Sequence, residues 1–309
     1  KAELDTQKNN SKRIDYGWLF TTRFPVLRKA HSRFVPDRSY RTFQKQNAAW
    51  LADYALFMAL KVHYGFSQWT QWMPQHRNHR QAKLHAAEFE QEMDFWCWCQ
   101  FEFFTQWKAL ADYAHQKGIK IIGDMPIYVA HDSMDVWAAP EQFLLDEQYM
   151  PTVVAGCPPD GFSPDGQLWG NPIYNWPLME KQNFSWWMAR VSSAFRLYDI
   201  LRIDHFRGFA GYYNVPYGES TARNGKWELG PGMDFIRALQ KEFPALQLIA
   251  EDLGLMTESV RRLVRDSGFP NMKVLQFAYD VGDVGAANDY LPHNYNNNCV
   301  VYTGTHDNE

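Results

Sequence analysis

The sequence predicts an α/β fold, a (β/α)8 barrel of the TIM type with inserted loops. Apolar runs with a β-branched bias recur along the chain, and most of them end in a carboxylate. Helical segments separate these runs, which predicts parallel strands joined by right-handed crossovers. The carboxyl ends of such strands meet on one face, where barrels carry their chemistry. The predicted strands end at Asp124, Asp204, Glu251, Tyr279 and Asp307.

The first part of the chain carries three helical segments. Residues 18–34 have apolar side chains at helical spacing, but Pro25 predicts a short or kinked helix. Residues 47–61 are rich in Ala and Leu, which predicts a strong helix. A long helical region over 82–117 ends at Gly118, and the first predicted strand follows it directly.

Residues 130–187 differ from the rest of the chain. They are rich in Pro, Gly, Asp and Trp and show little periodicity. A loop of this length inside a compact domain is either disordered or functional, and its aromatic side chains argue against disorder. We therefore expect an inserted lid or substrate-binding region at 130–187, within one partial catalytic barrel that spans 1–309.

The second part of the chain alternates strands with helices and a long aromatic loop. The helices fall between apolar runs, which supports a parallel sheet. The predicted elements are helices over 184–198, 233–243 and 257–267, a loop over 208–231 and a strand over 272–279.

Composition excludes several classes of function. The net charge is -4 at pH 7, so no broad basic surface favours nucleic acid or acidic lipid. No apolar run reaches membrane-spanning length, so we expect neither nucleic acid nor membrane as a partner. Cys97 and Cys99 lie two apart in a helix-like segment and point to different faces, so they suit neither a disulfide nor a metal pair. We expect all the cysteines to be buried thiols in a reducing, cytoplasmic compartment. They are Cys97, Cys99, Cys157 and Cys299.

Cofactor motifs are absent from the sequence. It contains no phosphate loop, no GxGxxG, no HExxH and no GxSxG. Carboxylate clusters also bind Mg²⁺ or Ca²⁺, but nothing here resembles a calcium loop, and a magnesium site usually accompanies a phosphate cradle. We expect no cofactor and no metal, with metal chemistry as the minor alternative.

Residues 201–208 bring Arg202 and Asp204 to a predicted strand end. Buried ionisable groups are costly unless they pair or act, so one alternative is an ion pair that fixes the strand end. The other is catalysis with a second carboxylate, because retaining glycosidases use two carboxyl groups roughly 5–5.5 Å apart. Asp204 beside Arg202 should stay ionised and attack, while the longer Glu251 can reach the glycosidic oxygen. Asp307 would be a third carboxylate that binds sugar hydroxyls and opposes developing positive charge.

These segments resemble the catalytic motifs of the 4-α-glucanotransferases (amylomaltases, disproportionating enzymes). That family is glycoside hydrolase family 77, within the α-amylase clan. The match runs nearly end to end, and long motifs in the right order make it specific. The matching segments are 199–209, 249–254 and 302–308 for the catalytic motifs, and 123–129, 158–160 and 166–172 elsewhere.

The resemblance implies a role for each site residue. Asp204 would be the nucleophile, Glu251 the general acid/base and Asp307 the transition-state stabiliser. Gly161 departs from the family, in which many members carry an aromatic residue, and this is expected to loosen the lid or shift chain-length preference. The implied sugar-binding residues are Arg202, His306 and Asp124 near the strand ends, and Asp160, Phe162, Gln167 and Trp169 in a lid loop over the acceptor side.

The resemblance also implies an activity and an incomplete barrel. The family's first strand is expected before Lys1 and its last strand after Glu309. The implied activity belongs to carbohydrate metabolism: transfer of α-1,4-glucan segments between maltooligosaccharides by retaining double displacement. Two alternatives stay open, an α-glucan hydrolase and a non-catalytic glucan-binding protein.

Overall fold

A computed structural model describes residues 14–160, 163–254, 256–279 and 288–305 of the chain. Two compact units divide it, one of Lys1–Gly65 with Lys83–Thr105 and one of Phe66–Ala82 with Gln106–Glu309. The helices are α1 (Tyr16–His31), α2 (Arg38–Gln46), α3 (Ala48–His63), α4 (Pro74–Arg77), α5 (His79–Leu84), α6 (Glu90–Gln116), α7 (Met134–Ala138), α8 (Trp176–Lys181), α9 (Ser185–Phe195), α10 (Gly232–Glu242) and α11 (Glu258–Ser267). The strands are β1 (Ile122–Pro126), β2 (Val153–Cys157), β3 (Gln167–Pro172), β4 (Ile200–Asp204), β5 (Gly211–Pro216), β6 (Lys226–Leu229), β7 (Leu248–Ala250), β8 (Asn271–Val274) and β9 (Cys299–Tyr302).

The first unit is helical, and its core consists mainly of aromatic side chains. Asp15 and Asp37 cap α1 and α2, because each carboxylate accepts a 2.9 Å hydrogen bond from the backbone N–H three residues later. Pro25 lies inside α1, which continues to His31, so this proline does not shorten the helix. The buried core of the unit consists of Tyr40, Ala55, Phe95, Trp96 and Trp98.

The second unit carries a parallel sheet with the strand order β1-β4-β7-β8-β9. Helices α9, α10 and α11 precede β4, β7 and β8 in the chain, which is the alternation that parallel strands require. The predicted α/β class is confirmed. The sheet's buried apolar side chains include Leu201, Ile203, Leu248, Ile249, Met272 and Val274.

Parallel pairing aligns the carboxyl ends of the strands. Asp124 pairs with Arg202 between β1 and β4, two residues before the end of each strand. On the other side of β4, Ile203 pairs with Ala250, the last residue of β7. Glu251 follows at once, so this register brings it level with Asp204 at the same sheet edge.

A second, antiparallel sheet has the strand order β3-β2-β5-β6. Strands β2 and β3 belong to the segment 130–187, and β5 and β6 belong to 208–231. The prediction of a loop over 208–231 was therefore wrong. Residues 212–215 are all buried, so no alternation of apolar and polar side chains marks this strand in the sequence.

The predicted strand over 272–279 was correct only for its first three residues. Val274 pairs with Tyr302, where β9 ends, and Leu275–Tyr279 form a 3-10 helix. The backbone N–H of Gln276 still donates to the carbonyl of Thr303 at 3.1 Å, but the chain has left the extended conformation by then. Among the residues that the structure describes, no helix has the length and apolar character needed to cross a bilayer.

Candidate active site

Arg202 binds two carboxylates at the edge of the parallel sheet. Its Nη1 donates to both oxygens of Asp124 at 2.6 Å, and its Nη2 lies 3.0 Å from Oδ1 of Asp204. Residues 202 and 204 are two apart on one strand, so their side chains share a face. The ion pair considered from the sequence does form. It leaves the Asp204 side chain 46% exposed, whereas that of Arg202 is 10% exposed, so a carboxylate held in place still faces the open side.

Glu251 is buried next to this cluster. Its Oε2 accepts a hydrogen bond from the backbone N–H of His205 at 2.6 Å, and its Oε1 accepts one from the N–H of Leu253 at 2.7 Å. Burial raises the pKa of Glu251 to about 7, the charge of Asp204 acts in the same direction, and the two hydrogen bonds oppose them. At neutral pH this carboxyl group therefore exists in both protonation states.

His205 connects Glu251 to β3, and the sequence prediction assigned it no role. Its backbone has φ 56° and ψ 44°, the left-handed conformation that few residues other than glycine adopt. This turn directs the His205 N–H at Glu251, while the imidazole packs perpendicular to the ring of Trp169 with ring centroids 4.8 Å apart. Burial and the charge of Arg207 lower the pKa of the imidazole to about 3, so the ring stays neutral. The sequence feature that could have pointed to His205 is its position directly after Asp204.

Asp252 turns away from Glu251 although it is the next residue. Its Oδ1 accepts a hydrogen bond from the backbone N–H of Met272 at 3.0 Å, and its Oδ2 accepts one from Nδ2 of Asn271 at 3.1 Å. Burial raises its pKa above the ordinary value. Asp252 thus ties the end of β7 to β8.

The predicted lid residues take different positions. Trp169 on β3 reaches His205, and its Nε1 donates to Oε1 of Gln167 at 3.0 Å. Gln167 is exposed. Asp160 is also exposed, and its Oδ1 accepts a hydrogen bond from the N–H of Ser163 at 2.7 Å, which closes a turn. The structure therefore gathers Asp124, Arg202, Asp204 and Glu251, with Trp169 joined to them through His205.

Three predicted site residues lie outside the described residues: Phe162, His306 and Asp307. Gly161 lies outside them as well. Within the described ranges, no group of three or more His, Cys, Asp or Glu side chains is arranged to hold a metal ion.

Comparison with known proteins gives consistent matches along the chain. The family described as 4-alpha-glucanotransferase, glycoside hydrolase family 77, matches residues 1–309. The 4-alpha-glucanotransferase of Clostridium butyricum is 49% identical over 306 residues, which are 97% of this chain and 62% of that protein. The 4-alpha-glucanotransferase of Thermus thermophilus is 45% identical over 307 residues, covering 96% of this chain and 61% of that protein.

Solved structures agree with the fold. The amylomaltase from Streptococcus agalactiae, solved in complex with acarbose, superimposes with a TM-score of 0.90 at 39% identity. That match covers 98% of this chain and 63% of the other, which confirms the TIM-type class. The chain thus spans about 60% of the length of the curated relatives it matches. With a family match over its whole length and relatives at 45–49% identity, the chain belongs to the 4-alpha-glucanotransferase family, glycoside hydrolase family 77.

Proposed function

We propose that the protein transfers α-1,4-glucan segments between maltooligosaccharides by a retaining, double-displacement mechanism. The observation that carries this proposal is the position of Asp204 beside a buried Glu251 whose pKa is raised to about 7. Two carboxyl groups in unlike environments are what acid/base assistance of a glycosyl transfer needs. Family membership supports the same reading.

In the first step, Asp204 attacks the anomeric carbon while Glu251 protonates the departing oxygen. Arg202 holds the attacking carboxylate at 3.0 Å, which fixes its direction and favours its ionised form. The covalent glycosyl-enzyme that results has inverted configuration at the anomeric carbon.

In the second step, the hydroxyl of an acceptor sugar replaces Asp204 and restores the original configuration. Glu251, now ionised, takes the proton of that hydroxyl. Asp307 is proposed to stabilise the positive charge of both transition states. The proposed sugar contacts are Asp124, Arg202 and His306 near the strand ends, and Asp160, Phe162, Gln167 and Trp169 on the acceptor side.

Product analysis from maltotriose tests the proposal. A transferase produces glucose together with oligosaccharides longer than maltotriose, a hydrolase produces only shorter products, and a non-catalytic binding protein produces none. The matched control is Asp204→Asn, which should lose activity by about 10⁴-fold or more and keep the fold. An Asn variant that kept about a tenth of the rate would contradict the assignment of the nucleophile.

We also infer a cytoplasmic location and a role in carbohydrate metabolism. Cys97, Cys99, Cys157 and Cys299 are free thiols, which supports a reducing compartment. Cell fractionation that follows the transferase activity tests the location, and recovery of the activity outside the cytoplasm would contradict it.

A further inference from the structure

A cavity of about 580 Å³ lies between α11, β8 and the segment that precedes β9. Sδ of Met272 accepts a 3.1 Å hydrogen bond from Nε of Arg202, so the side chain of Met272 points toward the candidate active site. Successive residues of a strand point to opposite faces, and its neighbours Asn271 and Lys273 therefore point the other way. Asn271 and Lys273 both line the cavity, and Met272 between them contributes to its wall as well.

Lys273 places a buried cation in the wall of this cavity. Only 8% of the residue is exposed, and its Nζ lies 5.4 Å from the ring centroid of Tyr290. Over the described part of the chain, no carboxylate comes within 4.0 Å of this ammonium group. A buried ammonium is costly unless a negative partner offsets its desolvation.

The two carboxylates that line the cavity already have other partners. Asp252 accepts hydrogen bonds from Asn271 and from the backbone of Met272, and Lys273 acts on it only through space. Asp289 is bound by Nη1 of Arg261 at 2.6 Å. Two of the three cations that line the cavity are paired as well, since Arg261 binds Asp289 and Nε of Arg265 lies 3.4 Å from Oδ1 of Asp266. Lys273 is the lining cation that no described carboxylate pairs, and its charge favours an anion in the cavity.

Asparagine side chains form much of the remaining wall, and several are held in place. Nδ2 of Asn296 donates to Oδ1 of Asn271 at 3.1 Å, and Nδ2 of Asn298 donates to the carbonyl of Gly268 at 3.1 Å. An amide both donates and accepts, which suits hydroxyl groups. The asparagines that line the cavity are Asn271, Asn294, Asn296, Asn297 and Asn298.

We propose that this cavity binds a phosphorylated monosaccharide, with its phosphate on Lys273 and Arg265 and its hydroxyls on the asparagine amides. Lysine and arginine are the usual partners of a phosphate group. A volume of about 580 Å³ falls within the range of small-molecule sites and exceeds what a bare phosphate fills. None of these residues belongs to the proposed catalytic set, so the proposal stands independently of the transferase activity.

Isothermal titration calorimetry at fixed ionic strength tests the proposal with three probes. Glucose 6-phosphate should bind saturably, inorganic phosphate should bind more weakly, and glucose should not bind at the same concentrations. The absence of saturable binding of glucose 6-phosphate would overturn the proposal, and so would equal binding of glucose. Inorganic phosphate that binds as tightly as the sugar phosphate would overturn the assignment of a monosaccharide.

The variant Lys273→Met removes the charge and keeps the length of the side chain. Its affinity for glucose 6-phosphate should fall at least about tenfold, because the buried cation supplies the main contact to phosphate. The matched control is Lys226→Met, whose exposed Nζ pairs with Glu228 at 2.7 Å outside the cavity, and its affinity should not change. Equal affinity in wild type and Lys273→Met would overturn the proposal.

Melting of the ligand-free proteins separates binding from folding. Without its ligand, Lys273→Met should melt at or above the wild-type temperature, because it loses a buried ammonium that no described carboxylate approaches within 4.0 Å. A clearly lower melting temperature would overturn the proposal, since it would mean that Lys273 serves to stabilise Asp252. Arg265→Gln provides a second variant, at a side chain of α11 that is 66% exposed. It is expected to bind glucose 6-phosphate about threefold or more weakly with unchanged melting, and unchanged affinity would overturn the contact assigned to Arg265.

Discussion

The surroundings of the Glu251 carboxyl group shift its pKa in opposite directions. Burial raises its pKa to about 7 and the charge of Asp204 adds to the increase, whereas hydrogen bonds from the N–H groups of Leu253 and His205 lower it. A pKa near neutrality lets one residue give a proton in the first step and accept one in the second. The same shift has consequences for both rate and stability.

The pH profile of the reaction should reveal this pKa. With maltotriose as donor, kcat/KM is expected to fall about tenfold per pH unit above about pH 7, because the protonated form of Glu251 is lost. A glycosyl fluoride needs no protonation of its leaving group, so the rate of its first step should not fall in this way above about pH 7. Rates measured with both donors from about pH 5 to pH 9 check the prediction. A maltotriose profile that stayed flat through pH 7 would contradict the role of Glu251.

The raised pKa of Glu251 should also make the free energy of unfolding depend on pH. The folded pKa of about 7 exceeds the ordinary value of 4.5, so Glu251 favours the folded state fully below pH 4.5, and this contribution is lost as the pH rises through 7. Relative to Glu251→Gln, the wild type should lose about 3 kcal/mol across this window. Urea unfolding at pH 4.5 and pH 8 measures it. The control is Glu242→Gln, an exposed position at the end of α10, whose free energy of unfolding should change with pH as that of the wild type does. If the free energy of unfolding of Glu251→Gln also followed the wild type, the pKa shift of Glu251 would be refuted.

At the scale of elements, β1 fits against the chain before β4 only because residue 123 is glycine. A Cβ at Gly123 would lie 2.0 Å from the ring of Tyr198, which itself packs against Trp107 with ring centroids 5.8 Å apart. The Tyr198 ring would have to move, and its neighbour limits that movement. This close contact precedes Asp124 directly.

Gly123→Ala should therefore lower the free energy of unfolding by roughly 1–3 kcal/mol, the usual effect of overpacking a close contact. Gly17→Ala is the matched control, because its new Cβ would meet nothing closer than 3.5 Å within α1. That change should be neutral or stabilising by roughly 0.5–1 kcal/mol. Chemical denaturation of both variants checks the pair, and equal stability of the two would contradict this account of β1.

Trp169 on β3 contacts His205, so it is the predicted lid residue that lies nearest to the candidate active site. Water is abundant, so transfer to a sugar requires an acceptor that is held in place and water that is disfavoured. If Trp169 serves the acceptor, Trp169→Ala should raise the ratio of hydrolysis to transfer while total bond cleavage stays similar. Product ratios from maltotriose, together with the melting temperature, measure this. Proportional loss of both reactions, or a much lower melting temperature, would mean that Trp169 only packs against His205.

The sequence predicted some elements well and others badly for physical reasons. The apolar run before Asp204 and the carboxylate at its end are local signals, and β4 was predicted correctly. Strand β5 was missed because its buried residues show no alternation, and the end of β8 was misplaced because the apolar run continues into a 3-10 helix at Leu275. Pairing with the distant strands β2 and β6 forms β5, and its own segment does not encode that pairing.

At the scale of the whole molecule, one edge of the parallel sheet collects the residues predicted to act together. Asp124, Arg202, Asp204 and Glu251 come from three strands, and their convergence followed from parallel topology alone. The orientation of the next side chains did not follow from topology. The left-handed turn at His205 and the rotation of Asp252 toward β8 arise from hydrogen bonds between segments far apart in the chain.

The central claim, that Asp204 forms a covalent bond to glucan with Glu251 as acid/base, is tested most directly by trapping that bond. A glycosyl fluoride should glycosylate Glu251→Gln because its leaving group needs no acid, and the intermediate should accumulate because no base assists its removal. Mass spectrometry of the digested protein should then find the glucan on the peptide that contains Asp204. A label on any other residue, or no accumulation while the donor is consumed, would contradict the account.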